Sequence, residues 1–285
     1  MNENKTTINW FPGHMAKTKR QISENLNLID IIYEVIDSRI PYSSKIKDID
    51  ELIKNKKRIL IFTKKDLCDL NKTNKWIKYY EEKGYKCLLV DLTNNKDYKR
   101  IIDLTNELMK EYLESKKEKG INNYTTKVLV IGIPNVGKST LINTLVGKTA
   151  AQTGNKPGVT KSINWLKTKY NITLLDTPGI LWPKLDEKRV ALNLAATSAI
   201  KQEVLNITDI GNYLLEYLCT NYPEKIIERY KITIHEDTLE NYYEIGKRTG
   251  LIKNDEPLYR EISIKLYNDI VSGRIKGVTL DDRNW

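Results

Sequence analysis

Gly132-Ile133-Pro134-Asn135-Val136-Gly137-Lys138-Ser139 decides how this 285-residue chain folds. It grows out of Lys127 to Ile133 (KVLVIGI), an apolar run suited to a buried parallel strand, and it leads into a helical run. Gly132 and Gly137 permit the turn that aims successive backbone N–H groups at a β-phosphate. Lys138 adds positive charge for the β- and γ-phosphates, and the helix N-terminus adds its dipole. Ser139 is placed to ligate Mg²⁺, and Pro134, Asn135, Val136 and Thr140 complete the cradle.

Two further motifs extend this site. Asp176-Thr177-Pro178-Gly179 follows Lys138 by 38 residues, at the end of the apolar run NITLLD. Asp176 is expected to hold Mg²⁺ through water, and the Gly179 amide to meet a γ-phosphate and so sense it. Between them, Lys156-Pro157-Gly158-Val159-Thr160 offers the Thr160 hydroxyl as a second magnesium ligand. The third motif, Thr63-Lys64-Lys65-Asp66, ends the run RILIF. The Asp66 carboxylate can accept hydrogen bonds from N1–H and the 2-amino group of guanine, whereas adenine presents a lone pair at N1 and no amine. Lys64 is expected along the base plane. The nucleotide expected is therefore GTP or GDP.

The order of these motifs is unusual. The base-reading turn precedes the phosphate loop by about seventy residues, whereas ordinary GTPases place it last. Asp30 to Ile40, Arg58 to Phe62, Lys86 to Asp91, Lys127 to Ile133 and Asn171 to Asp176 read as five strands, with helical patterns such as Lys72–Lys83 and Tyr98–Lys116 between them. Strands alternating with helices imply a mostly parallel sheet with ligands beyond the carboxyl ends of its strands, where every motif falls. Lys116 to Asn123 reads as an exposed connection. The fold expected is α/β: a circularly permuted P-loop GTPase domain over residues 1–199 and a smaller, all-helical C-terminal domain over 200–285. In the latter, Thr208 is a candidate cap for a helix carrying Ile210, Leu214, Leu215 and Leu218, and Glu256 to Ser272 reads as an amphipathic helix stopped by Gly273.

Charge is divided unevenly. The chain carries a formal +10, yet residues 200–285 hold 12 Lys+Arg against 15 Asp+Glu, leaving 35 against 22 in residues 1–199. Contact with nucleic acid is expected chiefly on the basic part. No apolar run is long enough to span a membrane. The three cysteines are scattered and the polar N-terminus carries no signal core, so a cytoplasmic, reduced protein is expected.

The motif order, the opening Ile8-Asn9-Trp10-Phe11-Pro12-Gly13-His14-Met15-Ala16-Lys17 and Asp37-Ser38-Arg39-Ile40-Pro41 together resemble the ribosome biogenesis GTPase A (RbgA/YlqF) family of circularly permuted GTPases. The resemblance runs over nearly the whole chain. It implies a monomeric GTPase that binds a late precursor of the large ribosomal subunit, contacts ribosomal RNA in part through its C-terminal domain, and leaves after hydrolysis. The acidic C-terminal part departs from that picture, so RNA contact falls more to local clusters such as Lys247-Arg248 and Arg274/Lys276 and to the basic GTPase domain, with a solvated helix end the other role open to Lys247-Arg248.

Ile180 stands where many GTPases carry a water-orienting glutamine, and isoleucine cannot hydrogen-bond water, so slow hydrolysis is expected from the chain alone. The resemblance points to His14, ahead of the first helix, as the missing catalytic group. Packing beside Trp10 and Phe11 is the other role open to it. Asn135 resembles a K⁺ ligand of potassium-stimulated GTPases, and shaping the loop is its alternative role. Two other functions remain open: a nucleotide-switched scaffold for a protein partner, and an ATP-dependent enzyme, which Asp66 disfavours.

Overall fold

The runs read as strands all form strands, and they join into one twisted sheet. The computed structural model describes residues 8–9, 12–46, 49–53, 55–93, 97–147, 164–178, 184–185, 187–200 and 205–282, with side chains described outside 8–17 and 184–185. The chain opens with β1 (Ile8–Asn9), α1 (Pro12–Asn25) and a 3₁₀ turn, then β2 (Ile31–Asp37), the short α2 (Asp50–Ile53), β3 (Lys57–Thr63), α3 (Leu70–Glu82), β4 (Lys86–Leu89) and α4 (Asp97–Glu118). It continues through β5 (Thr126–Gly132), α5 (Lys138–Val146), β6 (Asn164–Lys167), β7 (Ile172–Asp176), β8 (Lys184–Leu185) and α6 (Lys188–Ala196). The last part comprises α7 (Ile207–Asn221), α8 (Pro223–Tyr230), α9 (Thr238–Thr249), β9 (Ile252–Lys253), β10 (Glu256–Pro257) and α10 (Tyr259–Val271).

Among the described residues the main sheet has the order β4-β3-β2-β5-β7-β6. Its first five strands are parallel, and β6 runs antiparallel to β7 at the edge. Both faces are covered, which is why the strands are apolar throughout rather than alternating. On one face Ile36, Leu60 and Phe62 pack against Trp76 and Tyr80 of α3. On the other, Tyr33 donates to or accepts from Thr105 of α4 at 2.6 Å. Glu34, buried in mid-strand, accepts from the Ile46 amide and from Arg58. Burial raises the Glu34 pKa, and the neighbouring Lys45 and Arg58 offset part of that cost.

Several boundaries differ from the sequence expectation. His14 lies within α1, whose first residue is Pro12, rather than ahead of the first helix. A proline at that position lacks only an N–H that would be unpaired anyway. The cap of α7 is Asn206, whose side chain accepts from the Thr208 amide, so Thr208 is inside the helix. The last helix begins at Tyr259, because Glu256–Pro257 pairs with Ile252–Lys253 as a small hairpin. The C-terminal part is therefore helical except for that hairpin. β6 was missed: its residues are mostly exposed, so it shows little burial pattern. Among the described residues no helix is long and apolar enough to cross a membrane.

Hydrophobic packing crosses residue 199. α6 packs on α7 and α10, and one buried cluster runs from the sheet into these helices. After α10 the chain returns as a strap. The amides of Gly277 and Val278 donate to the Leu67 carbonyl, and the Leu280 amide to the Arg39 carbonyl. Asp281 ends the strap with both oxygens engaged: Oδ2 accepts from the Tyr42 and Ser43 amides, and Oδ1 from the Ser43 hydroxyl and the Asn193 side-chain amide. Trp76 donates its indole N–H to the Asp281 carbonyl.

Replacing Asp281 by Ala strands these buried donors and should lower stability by about 3 kcal/mol or more. Asp281→Asn should do nearly as much harm, since one of its positions would set an NH₂ group against two donors. Urea denaturation checks both; a midpoint within error of wild type for either variant would contradict the strap's role.

Candidate nucleotide site

The parallel strands bring the carboxyl ends of β2, β3, β5 and β7 to one edge, and there the three motifs meet. The phosphate loop leaves β5 at Gly132, where a Cβ would stand 2.7 Å from the Val35 carbonyl oxygen on the adjacent strand. No larger residue fits that approach. Gly137, at φ 104, caps α5 in the left-handed region. Ser139 is half-buried and Thr140 exposed, both in the first turn of α5. Pro134 and Val136 are buried beneath the loop.

The base-reading turn is bonded directly to this loop despite its distance in sequence. Thr63 Oγ1 donates to the Val136 carbonyl at 2.5 Å, and Lys64 Nζ to the Asn135 carbonyl at 2.7 Å. Lys64 also donates to Asp37 Oδ2 at 2.7 Å. Burial lowers the Lys64 pKa from its ordinary value, and the neighbouring Asp37 opposes that shift. Lys65 is half-buried, its amide directed to the Val90 carbonyl, and Asp66 is exposed at the strand end. Four backbone or side-chain links thus hold the turn so that Asp66 projects at the carboxyl edge of the sheet.

Asp37 is a site residue whose part here was not foreseen. It is 1 % exposed, and its carboxylate takes hydrogen bonds from the Arg39 amide and guanidinium as well as from Lys64. Burial alone would raise its pKa, but Arg39 and Lys64 hold the carboxyl well below the usual carboxylate range. Arg39 in turn donates to the Ile270 carbonyl in α10. The signal available in the sequence was an acid and a base two residues apart at the end of a buried strand.

Lys138 and Asp176 form the electrostatic centre. Lys138 is 7 % exposed and Nζ donates to the carbonyls of Gly132 and Ile133, back onto its own loop. Burial pulls its pKa down to about 8, with Asp176 opposing. Asp176 is 3 % exposed, and among the described residues its Oδ1 is a buried side-chain oxygen with no hydrogen-bond partner. Burial pushes its pKa up to about 6, against the influence of Lys138 and the Thr177 amide. An orphaned carboxylate oxygen that is costly to charge fits a divalent cation, which would supply the missing countercharge. Thr177 donates to the Val130 carbonyl and fixes the start of this loop.

Asn135, at φ 59, donates from Nδ2 to the Ser198 carbonyl at 2.6 Å, so its amide joins the phosphate loop to the segment after α6. Thr160, Gly179 and Ile180 lie outside the described residues, as does the side chain of His14.

The family described as 50S ribosome-binding GTPase matches residues 127–252. Ribosome biogenesis GTPase A of Priestia megaterium is 43% identical over 279 residues, which cover 97% of this chain and 97% of that protein. The protein of the same name from Thermotoga maritima is 27% identical over 96% of this chain and 94% of its own. Short integuments 2, mitochondrial, of Arabidopsis thaliana is 35% identical over 74% of this chain and 56% of its own. Among solved structures, GNP-bound YlqF from T. maritima matches with a TM-score of 0.63 at 23% identity, covering 93% of this chain and 97% of that one. That likeness speaks for the fold.

The Asp176 shift has a pH signature. A carboxyl with a higher pKa in the folded state stabilises the fold below its unfolded value, and that contribution is lost as pH rises. The window here runs from the ordinary 3.8 to about 6. Asp176→Asn should flatten the decline of melting temperature across that window while weakening Mg²⁺-dependent nucleotide binding. A decline equal to that of wild type would contradict the assignment.

Proposed function

Because the chain belongs to the ribosome biogenesis GTPase A family and is a GTPase, we propose that it acts on a late precursor of the large ribosomal subunit, meeting it through ribosomal RNA. The observation that carries the nucleotide part is the bonding of Thr63 and Lys64 to the carbonyls of Val136 and Asn135, which sets base-reading and phosphate-reading motifs on one edge. Residues 1–199 act as the GTPase domain and 200–285 as the helical domain. The surplus of Lys and Arg in the former favours a polyanionic partner.

Within the site, Pro134 to Thr140 cradle the phosphates, Lys138 turning from its loop carbonyls to the β- and γ-phosphates. Thr63 and Lys65 shape the base turn, Lys64 flanks the base, and Asp66 reads guanine. Gly179 senses the γ-phosphate. Asp176, Ser139 and Thr160 hold Mg²⁺, which would offset phosphate charge when bound. Asn135 serves K⁺, for which it must leave Ser198; equal hydrolysis rates in K⁺ and Na⁺ would remove that role. His14, near the start of α1, positions or polarises the attacking water, a role that the aliphatic Ile180 cannot fill. The protein works as a monomer in the cytoplasm.

Hydrolysis should be slow alone and rise strongly with purified large ribosomal subunits. His14→Ala should reduce the stimulated kcat by about a hundredfold while leaving co-sedimentation intact. Tight GTP binding without stimulation by the subunit would instead favour a nucleotide-switched scaffold.

A further inference from the structure

The C-terminal helices carry a surface that suits neither GTP nor RNA. A groove of about 530 Å³ lies between the start of α9 and the hairpin leading into α10, lined by His235, Leu239, Glu240, Tyr243, Glu244, Pro257 and Tyr259. Its apolar residues are unusually open: Leu239 is 58 % exposed and Tyr259 38 %. The arrangement follows from helix geometry. Tyr242, Ile245 and Gly246 face inward, so the Leu239/Tyr243 row borders the buried face and the Glu240/Glu244 row stands beside it. Apolar and acidic side chains therefore form adjacent stripes along one wall.

Charge identifies the occupant. Between Lys231 and Lys247 the chain carries Glu236, Asp237, Glu240 and Glu244 and no Lys or Arg. His235 lies against Glu240, Nδ1 to Oε2 3.0 Å, and over this stretch carboxylates still outnumber basic groups at the rim. The basic pair Lys247 and Arg248 follows Glu244 by three and four residues, about 5 Å further along α9, at its last turn. Glu240 and Glu244, four residues apart on one side of α9, stand about 6 Å from each other, and together they repel phosphate and attract ammonium and guanidinium groups. The exposed leucine and tyrosine add an apolar anchor, the usual centre of a protein contact.

We propose that this groove docks a lysine- or arginine-rich polypeptide segment that carries an apolar side chain. The apolar side chain sits against Leu239, Tyr243 and Tyr259, and the cationic residues meet Glu240 and Glu244. The division of charge along the chain then has a purpose: the basic part of the protein meets polyanion, while this acidic patch meets a basic protein.

The test uses the full chain and three fluorescent probes: a lysine–leucine peptide, a lysine–serine peptide of equal charge, and an oligouridylate. The lysine–leucine peptide should bind at physiological salt, and more tightly than its serine counterpart. Leu239→Ser and the double variant Glu240→Lys, Glu244→Lys should each weaken it about tenfold. Both variants alter side chains outside the nucleotide site, Leu239 and Glu240 exposed and Glu244 half-buried, so GTP affinity should not change and serves as the folding control. Undiminished peptide binding by both variants, absence of peptide binding to wild type, or oligouridylate binding that these same substitutions abolish would each overturn the proposal.

Discussion

The buried carboxylate of Asp37 is the constraint on which the site depends. A charge at 1 % exposure persists only with full compensation, and both of its oxygens have it from Arg39 and Lys64. Each partner then does a second job. Lys64 reaches the phosphate loop at the Asn135 carbonyl, and Arg39 reaches α10 at the Ile270 carbonyl. The end of β2 thus fixes the base-reading turn, the phosphate loop and the C-terminal helices at once. Removing one member of such a network leaves an uncompensated buried charge, typically costing about 3–5 kcal/mol.

The permuted order of the chain determines what lies next to the phosphate-loop motif. β7 delivers the Asp176 motif, and the chain then runs by way of α6 to the C-terminal helices. Asn135 of the phosphate loop bonds the Ser198 carbonyl on that path, at a residue with φ 62. The nucleotide site therefore touches the connection itself. The strap ending at Asp281 closes the circuit from the other side, returning to Ser43 and to Asn193 of α6. Any movement of the C-terminal helices against the sheet has to loosen one of these polar contacts.

Much of this was legible in the chain itself. The five parallel strands were readable because a strand covered on both faces is continuously apolar, a signal that needs no partner to be seen. The phosphate loop was readable because glycine spacing and the lysine act within eight residues. The Asn206 cap was also within reach, since asparagine outranks threonine at that position and its side chain bonds only two residues ahead. β6, by contrast, is an exposed strand paired, among the described residues, with β7 alone, so its residues carry little pattern of their own.

Sequence by itself determined the class of fold, the guanine-nucleotide chemistry and the permuted order, because each rests on residues acting on near neighbours or on a fixed period. Only tertiary structure decided which polar groups share a site. Asp37 with Lys64, Asn135 with Ser198, and Asp281 with Ser43 and Asn193 are joined across long stretches of chain. The worth of such contacts comes from burial, which no local pattern records. The orphaned Oδ1 of Asp176 belongs with them: the cost of its charge follows from the loss of water around it in the folded protein.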